Sequence, residues 1–385
     1  MSTQTKVFGK LCTFGVPVIL IYFGVSTMLS WPLTSKMPSH RVSFGEKNGK
    51  FCEKKLNYMF VKVHKAGSTT TTCILQRFGY ENNLTFVLPM KGHSNIGWPK
   101  LFKQKDFIPS EDGTFNALVD HVIYNKELLQ SILPTDTVYI ATLRHPFSHL
   151  TSVFNWYHLS KRFHGLDQEH PIKTFLETPK KFEIPFNSKH PRRPFSYTKN
   201  FMSFDLGFSL GLSDSQSAID DFLSRLSKDI NLVIILEYYN ESLVLLRRMM
   251  CWTLKDILYD LKPKNFRTYN KSIENVKRLM GKHRHWSNVD YQLYDYFNAT
   301  LWHKIKQEGD DFPKEVRHFE KGRKILLDRG ANVASTVQLF RETYPGGHDF
   351  IIHSFEIDER LAPFFAPYPN HVLHCPTGVS NKDGE

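Results

Sequence analysis

The chain has 385 residues with a formal net charge of +12, and 41% of its residues are hydrophobic. This composition excludes global disorder and allows a sizeable core in one large or two ordinary domains. The positive charge favours anionic partners such as nucleotide phosphates, acidic glycans or anionic lipid. Nucleic acid is disfavoured, because the basic residues are scattered and the sequence has neither zinc-finger spacing nor the aromatic motif of RNA-binding domains.

The N-terminal segment predicts a membrane anchor. Residues 11–29 carry no charge, and these 19 residues are close to the length that crosses a bilayer. Lys6 and Lys10 precede the run, which predicts a cytosolic tail at 1–10 and a luminal body that follows a stem at 30–55. A cleaved signal peptide is the alternative, although the apolar run is longer than a typical signal core.

Asn-x-Ser/Thr sequons give separate support for a luminal body, since they mark sites of N-glycosylation. Four are present, and they begin at Asn83, Asn240, Asn270 and Asn298. The five cysteines include no Cys-x-x-Cys pair, which argues against a structural zinc site. Their disulfide pairing cannot be deduced from the sequence.

The first stretch after the stem predicts a strand, a loop and a helix that together can bind an anion. Residues 58–63 have the length and composition of a strand, and apolar residues return at helical spacing at Ile74, Leu75 and Phe78, before a predicted stop at Gly79. A helix that begins after a small polar loop presents N–H groups to an anion. The loop consists of His64, Lys65, Ala66, Gly67, Ser68, Thr69 and Thr70. It is not a nucleoside-triphosphate loop, because its lysine precedes the only glycine.

The rest of the chain alternates predicted strands with predicted helices. Further strands are predicted at 84–88, 115–120, 137–143 and 231–237, and helices at 126–133, from 146 onward, and at 219–226, 242–251, 290–305 and 312–327. Residues 163–197 are rich in Pro, Lys, Arg and His, so we expect a surface excursion there. The alternation predicts an α/β fold with a central, mostly parallel sheet flanked by helices.

A second anion site is predicted where the strand at 137–143 ends. Arg144 follows this strand, and Ser152 lies eight residues later on the next helix. A planar guanidinium can hold a phosphate through two hydrogen bonds, and the hydroxyl adds a third. Arg144 and Ser152 therefore resemble the 3′-phosphate site of sulfotransferases, and the Lys65 loop resembles their 5′-phosphosulfate loop.

Longer blocks identify the chain by resemblance as a member of the galactose-3-O-sulfotransferase family. The similar blocks lie at residues 62–69, 83–89, 115–121, 143–154, 204–208, 237–246, 251–252 and 294–302. The resemblance covers residues 56–330, the predicted catalytic domain, and leaves 331–385 as a diverged C-terminal segment. It implies the P-loop-like sulfotransferase fold, with 3′-phosphoadenosine 5′-phosphosulfate as co-substrate and the 3-hydroxyl of a terminal β-galactose on a glycolipid or glycan as acceptor. It also implies a single-pass type II protein of the Golgi membrane with its catalytic domain in the lumen.

The resemblance also assigns roles to individual residues. His121, at a strand end, is the preferred general base, with Asp120 to orient its ring or raise its pKa. His64 is the alternative base or a donor to the sulfonyl group, and His93 is the third candidate. Lys65 is the cation that stabilises the leaving phosphate. The donor-binding residues are Lys65, Ala66, Gly67, Ser68, Thr69, Thr70, Arg144 and Ser152. No metal is predicted, because no His, Asp or Glu cluster has ligand spacing.

Several points stay open at this level. Ala66-Gly67 stand where relatives usually carry Thr-Ala, and His145 replaces a more usual Asn or Asp. The aromatic residues Trp98, Trp156 and Tyr157 are candidates to stack on a sugar. The alternatives are another type II Golgi carbohydrate sulfotransferase with a different acceptor, a non-catalytic relative, or a glycosyltransferase, which the absence of an Asp-x-Asp motif disfavours. The oligomeric state is undecided, and a homodimer is one option.

Overall fold

The structure is a computed structural model, and it describes most of the chain after residue 51. The described residues are 52–92, 94–188, 194–259, 276–322, 325–329, 335–343, 351–356, 358–366 and 371–375. The chain divides into two units, Met1–Lys54 and Lys55–Glu385. The predicted tail and anchor, at 1–10 and 11–29, lie outside the described residues, as does nearly all of the predicted stem at 30–55. Within the described ranges, no helix has the length and apolar character that a membrane span requires.

A four-stranded parallel sheet forms the centre of the second unit. Its strands are β1 (Tyr58–Val61), β2 (Ala117–Leu118), β3 (Val138–Leu143) and β4 (Leu232–Ile235). They are ordered β2-β1-β3-β4, and each neighbouring pair is parallel. Every residue of these strands is buried, as expected for a parallel sheet covered on both faces. The predicted α/β fold with a mostly parallel sheet is confirmed.

Strand register brings three strand ends to one edge of the sheet. Val61 at the end of β1 pairs with Ala141 on β3, and Leu143 at the end of β3 pairs with Ile235 at the end of β4. Chain segments that leave these strands therefore begin side by side. In open α/β sheets, this carboxyl edge is where ligands bind.

Helices surround the first sheet. In chain order they are α1 (Ser68–Glu81), α2 (Lys126–Gln130), α3 (Pro146–Trp156), α4 (Leu159–Arg162), α5 (Pro171–Glu177), α6 (Pro179–Ser188), α7 (Phe201–Asp205), α8 (Gln216–Asp229), α9 (Tyr239–Met250), α10 (Val276–Trp286), α11 (Asn288–Gln307) and α12 (Phe312–Gly322). Short 3-10 turns lie at Gln104–Asp106, Leu210–Leu212, Leu236–Tyr238, Lys255–Ile257 and Glu359–Phe365. Pro146 begins α3, where its missing N–H costs no helical hydrogen bond.

The expectation of a surface excursion at 163–197 is wrong for its described part. This stretch contains α5 and α6, and its phenylalanine side chains form an apolar cluster with residues of α3. Phe163 and Phe175 stack with ring centroids 5.4 Å apart, and Phe175 is fully buried. The abundant Pro, Lys and Arg residues suggest exposure, but the spaced phenylalanines decide the packing because burial of each large ring is strongly favourable.

The C-terminal region holds a second sheet that the sequence did not indicate. The strands β5 (Ile325–Arg329), β6 (Ile351–Phe355) and β7 (His371–His374) are parallel and lie in chain order, with α13 (Ser335–Thr343) between the first two. The helix predicted at 312–327 therefore ends at Gly322, and its last residues belong to β5. An apolar run of this length fits a helix end and a short strand equally well.

Two smaller expectations also fail. Residues 84–88 form a short bridge and not a full strand, since Phe86 pairs in parallel with Ala117 and the Val87 N–H donates to the Ala117 carbonyl at 2.8 Å. Gly79 does not end α1, which continues to Glu81. Its function is steric, since a Cβ at Gly79 would lie 2.3 Å from ring atoms of Phe86.

Candidate functional site

The turn between β1 and α1 has a backbone that requires glycine at one position. Lys65 and Gly67 both have positive φ, at 57° and 77°. A Cβ on Gly67 would lie 2.4 Å from Cδ1 of Leu236, which follows β4. Position 67 thus favours glycine for its left-handed backbone, and a Cβ there would also have to displace the Leu236 side chain.

Two helices begin at this edge of the sheet. Gly67 is the N-cap of α1 and His145 is the N-cap of α3, and neither residue caps its helix with its own side chain. The backbone N–H of His145 donates a hydrogen bond of 2.9 Å to Oε1 of Glu237. The first turn of each helix also lacks an acidic residue. Each helix start therefore offers backbone N–H groups and the positive end of the helix dipole, which favour anions, and at α3 the Glu237 carboxylate already lies at the N-cap.

The residues of the two predicted anion sites lie on neighbouring elements of the structure. Arg144 is the first residue after β3 and is half-buried, next to the strand that leads into the Lys65 turn. Nζ of Lys65 lies 3.8 Å from the ring centroid of Trp156, at the end of α3. Ser152 lies one turn before Trp156 on α3 and is buried. In the turn and the start of α1, Ala66 and Ser68 are buried, Gly67 and Thr70 are half-buried and Thr69 is exposed.

His64 is held by a buried carboxylate. Its backbone N–H and its ring Nδ1 each lie 2.8 Å from Oδ2 of Asp205, the last residue of α7. The second carboxylate oxygen of Asp205 accepts a hydrogen bond of 2.9 Å from Nε1 of Trp98. A carboxylate that accepts from Nδ1–H fixes the ring orientation and leaves Nε2 as the nitrogen that can take a proton.

His121 lies directly against His64. Their rings stack with centroids 3.8 Å apart. Nδ1 of His121 is 2.6 Å from the carbonyl oxygen of Lys62, so this nitrogen carries the hydrogen and donates it. Burial lowers the pKa of His121 well below 6.5, and the nearby His64 and Lys62 act in the same direction. His121 is therefore a neutral imidazole with a fixed tautomer.

The prediction that Asp120 orients the His121 ring is wrong. The ring is oriented by the Lys62 carbonyl, and the histidine with a carboxylate partner is His64. Asp120 is buried, and Nζ of Lys62 lies 4.0 Å from its carboxylate. Burial raises the pKa of Asp120 to about 6, although the Lys62 charge opposes this shift.

Comparison with known proteins identifies the family. The family model described as Galactose-3-O-sulfotransferase matches residues 1–337. The chain belongs to the galactose-3-O-sulfotransferase family. This assignment agrees with the resemblance that the sequence blocks carry, and the parallel sheet flanked by helices fits a sulfotransferase fold.

Individual relatives are similar at moderate identity. Human galactose-3-O-sulfotransferase 2 is 34% identical over 259 residues, which cover 66% of this chain and 62% of the relative. Human galactosylceramide sulfotransferase is 30% identical over 306 residues, which cover 74% and 68%. Mouse galactose-3-O-sulfotransferase 3 is 30% identical over 279 residues, which cover 70% and 62%. The match to the first of these relatives thus spans less than two thirds of its length.

Within this family member, sequence reasoning missed two residues that contact the turn. Asp205 lies in the block at 204–208, which the resemblance included without a role, and it is 141 residues from its partner His64. His149 on α3 is 2.9 Å from the carbonyl oxygen of His64 through Nε2. Both contacts join distant parts of the chain, so local spacing gave no signal for them.

The remaining predicted site residues have different surroundings. Trp98 packs against His64 with a centroid distance of 4.4 Å, whereas Trp156 is 64% exposed. Tyr157 packs against Tyr197. A role for any of these rings in sugar binding stays a prediction. His93 lies outside the described residues.

The sequence left the disulfide pairing of the cysteines open and predicted no metal site. Cys52 and Cys251 each take part in a disulfide bond, whereas Cys73 and Cys375 are thiols. In the part of the chain that the structure describes, no three His, Cys, Asp or Glu side chains are grouped as metal ligands. The absence of a metal requirement stays a prediction.

Proposed function

We propose that the protein transfers a sulfuryl group from 3′-phosphoadenosine 5′-phosphosulfate to the 3-hydroxyl of a terminal β-galactose on a glycolipid or glycan. The observation that supports this proposal is that the two helices that follow β1 and β3 begin at one edge of the sheet, beside His64. The names of the relatives, which include galactose-3-O- and galactosylceramide sulfotransferases, support the same reaction and acceptor class.

The donor has one anionic group on the 5′ side of its ribose and another on the 3′ side. There are two proposed sites, and each has a positive charge that would attract one of these groups. At the 5′ end, Lys65 and the groups from Ala66 to Thr70 would hold the phosphosulfate, and the lack of a side chain at Gly67 lets the backbone come close. At the 3′ end, Arg144 and Ser152 would hold the phosphate through a guanidinium and a hydroxyl.

For the general base, the geometry favours His64 over the His121 that the sequence suggested. A base becomes positively charged when it takes the proton, and Asp205 lies where it stabilises that charge on His64. His121 has a carbonyl partner, and its burial disfavours the charged form. Because the two rings stack, a proton on one also disfavours a proton on the other. Neutral His121 would then support the His64 ring from one face.

The proposed reaction is a single in-line displacement at sulfur. The acceptor oxygen forms a bond to sulfur as the bond between sulfur and the 5′-phosphate oxygen breaks. The hydroxyl proton passes to Nε2 of His64, and the negative charge goes to the departing phosphate. Lys65 and the N–H groups at the start of α1 would stabilise that charge, and Thr69 and Thr70 add hydroxyl donors for the sulfuryl oxygens.

The cellular setting is part of the proposal. The apolar segment at 11–29 would anchor the protein in the Golgi membrane as a single-pass type II protein. The catalytic domain would then lie in the lumen, where galactose-terminated glycolipids and glycans are its acceptors. A homodimer is compatible with this arrangement.

The proposal is tested by transfer of labelled sulfate from 3′-phosphoadenosine 5′-phosphosulfate to galactosylceramide, lactose and N-acetyllactosamine. We expect label on at least one of these acceptors and none on the matching 3-deoxygalactoside, because the accepting oxygen is missing there. The Lys65→Ala variant is the control that links transfer to the proposed site, and it should lose most of the sulfate transfer. Label on the 3-deoxygalactoside would contradict the proposed position, and no label on any galactoside would contradict the proposed acceptor.

A further inference from the structure

His149 bonds the helix of one predicted anion site to the turn of the other. It lies on α3, three residues before Ser152, and is 3% exposed. Its Nε2 is 2.9 Å from the carbonyl oxygen of His64. A carbonyl oxygen only accepts hydrogen bonds, so Nε2 carries the hydrogen and donates it. Helix α3 is thereby attached to the peptide that enters Lys65.

The donor on His149 does not change with pH in the neutral range. Burial lowers the pKa of His149 to about 4, and the Arg144 charge contributes to the shift, while the bond to the His64 carbonyl opposes it. The ring is therefore a neutral imidazole with one N–H group, and the His64 carbonyl fixes that group on Nε2. A neutral ring also avoids repulsion between a buried cation and an arginine that would bind phosphate.

The peptide that His149 holds needs external support. Lys65 follows that peptide with a φ of 57°, a left-handed backbone that costs free energy in a residue with a Cβ. Such a conformation persists only when its surroundings specify it. Asp205 accepts from the His64 N–H on one side, and His149 donates to the His64 carbonyl on the other. The two contacts fix both peptide groups that flank His64.

We propose that His149 is a positioning residue that holds the Lys65 turn and helix α3 at the spacing of one bound nucleotide. It would touch neither donor nor acceptor and would act through the His64–Lys65 peptide. This inference rests on the proposed function, since it assumes that one nucleotide occupies both sites. Its loss would weaken ligands that bridge the sites and would spare ligands that use the α3 site alone.

The test uses calorimetry to measure the affinities of purified variants for two nucleotides. Adenosine 3′,5′-bisphosphate reaches both sites, and adenosine 3′-monophosphate reaches only the site at Arg144 and Ser152. For His149→Leu we expect bisphosphate affinity to fall about 10-fold, the scale of one lost hydrogen bond, with monophosphate affinity within about twofold of wild type. His149→Gln keeps an N–H donor and should recover most of the affinity. If the leucine variant fails to fold, His149→Met removes the donor in a similar volume.

His283→Leu is the matched control for loss of a buried histidine. His283 is 2% exposed on α10, and Nδ1 of its ring lies 3.2 Å from the Tyr291 hydroxyl. This variant should lower the melting temperature and leave the ratio of the two affinities unchanged. The inference is overturned if a folded His149→Leu protein binds the bisphosphate like wild type, if both nucleotides weaken equally, or if His283→Leu changes the ratio as well. A wild-type protein that binds neither nucleotide contradicts the proposed function itself, and this inference with it.

Discussion

His64 and His121 are neighbouring histidines with different hydrogen-bond partners. Both lie where β1 and β2 end, and their rings are in contact. The difference is the partner of Nδ1, which is a carboxylate for His64 and a backbone carbonyl for His121. A carboxylate stabilises an imidazolium far more than a carbonyl does, so the proton from the acceptor is expected on His64.

This difference predicts an order of kinetic effects. His64→Ala should lower kcat by about 10²–10⁴-fold, the usual contribution of a general base, with little change in nucleotide affinity. Asp205→Asn should lower kcat less, because the histidine remains but its charged form loses its partner. The measurement is steady-state kinetics of sulfate transfer beside nucleotide titration. A His121→Ala variant that loses turnover while His64→Ala retains it would return the base to His121.

The sequence predicted part of this site. The placement of Lys65 in a turn between a strand and a helix, and of Arg144 and Ser152 at a strand end and on the next helix, was predictable because strand, loop and helix signals are local. Anion binding by these residues stays a prediction. The bond between His64 and Asp205 was not predictable, since its two residues are 141 positions apart and only the fold brings them together. For the same reason Asp120, which is adjacent to His121 in the chain, was the wrong carboxylate.

At the scale of elements, the turn before α1 packs against the side chain of Leu236, which follows β4. Gly67 has a φ of 77°, and the space for a Cβ is occupied by Leu236, which follows β4. The sequence indicated that a glycine was useful there for its backbone. It could not indicate the contact with Leu236, because that contact follows from the strand order β1-β3-β4.

Gly67→Ala should therefore damage both stability and nucleotide binding. Gly113 offers a matched control, since its φ is 76° and, among the described residues beyond its chain neighbours, no atom lies within 4 Å of the position that a Cβ would take. Gly113→Ala should lose about 1 kcal/mol from the left-handed backbone alone. Gly67→Ala should lose more and should also weaken adenosine 3′,5′-bisphosphate, as measured by chemical denaturation and calorimetry.

A second substitution separates the two causes at Gly67. Leu236→Ala in the Gly67→Ala background should relieve the overlap and leave only the backbone cost. Equal losses in stability for Gly67→Ala and Gly113→Ala, with nucleotide affinity intact in both, would show that the close approach is unimportant.

At the scale of the whole molecule, buried histidines tie stability to pH. Burial lowers the pKa of His283 to about 3 and that of His149 to about 4, both below the usual 6.5. At a pH between the lowered pKa of each histidine and 6.5, the unfolded chain binds more protons than the folded protein. The contribution of each histidine therefore makes the folded protein less stable as the pH falls below about 6.5.

His283→Leu isolates this effect. The variant is expected to be less stable than wild type at pH 7, because it loses a packed, hydrogen-bonded side chain. The difference in the free energy of unfolding between wild type and variant should narrow by on the order of 2 kcal/mol by pH 4.5. The reason is that only the wild type has a histidine at position 283, which takes up a proton when the chain unfolds. Denaturation curves at both pH values measure the gap. A gap that stays constant would mean that His283 is not held neutral by the fold.

The sequence predicted the fold in those parts of the chain where apolar residues recur at the spacing of a strand or a helix. The buried apolar runs at β1, β3 and β4 gave the parallel sheet, and the blocks up to residue 330 gave the family. The aromatic cluster at 163–188 and the second sheet were not found, since the first is hidden in a polar composition and the second in a short apolar run. The region beyond β5 also carries little of the resemblance.

The central claim is that one nucleotide bridges the Lys65 turn and Arg144. Calorimetric titration of adenosine 3′,5′-bisphosphate into wild type, Lys65→Ala and Arg144→Ala tests it most directly. We predict one nucleotide per chain, with affinity reduced in both variants and by about 2–4 kcal/mol for Arg144→Ala, as expected for a lost charge-assisted contact. Two independent nucleotides per chain, or a variant at either position that binds like wild type, would contradict it.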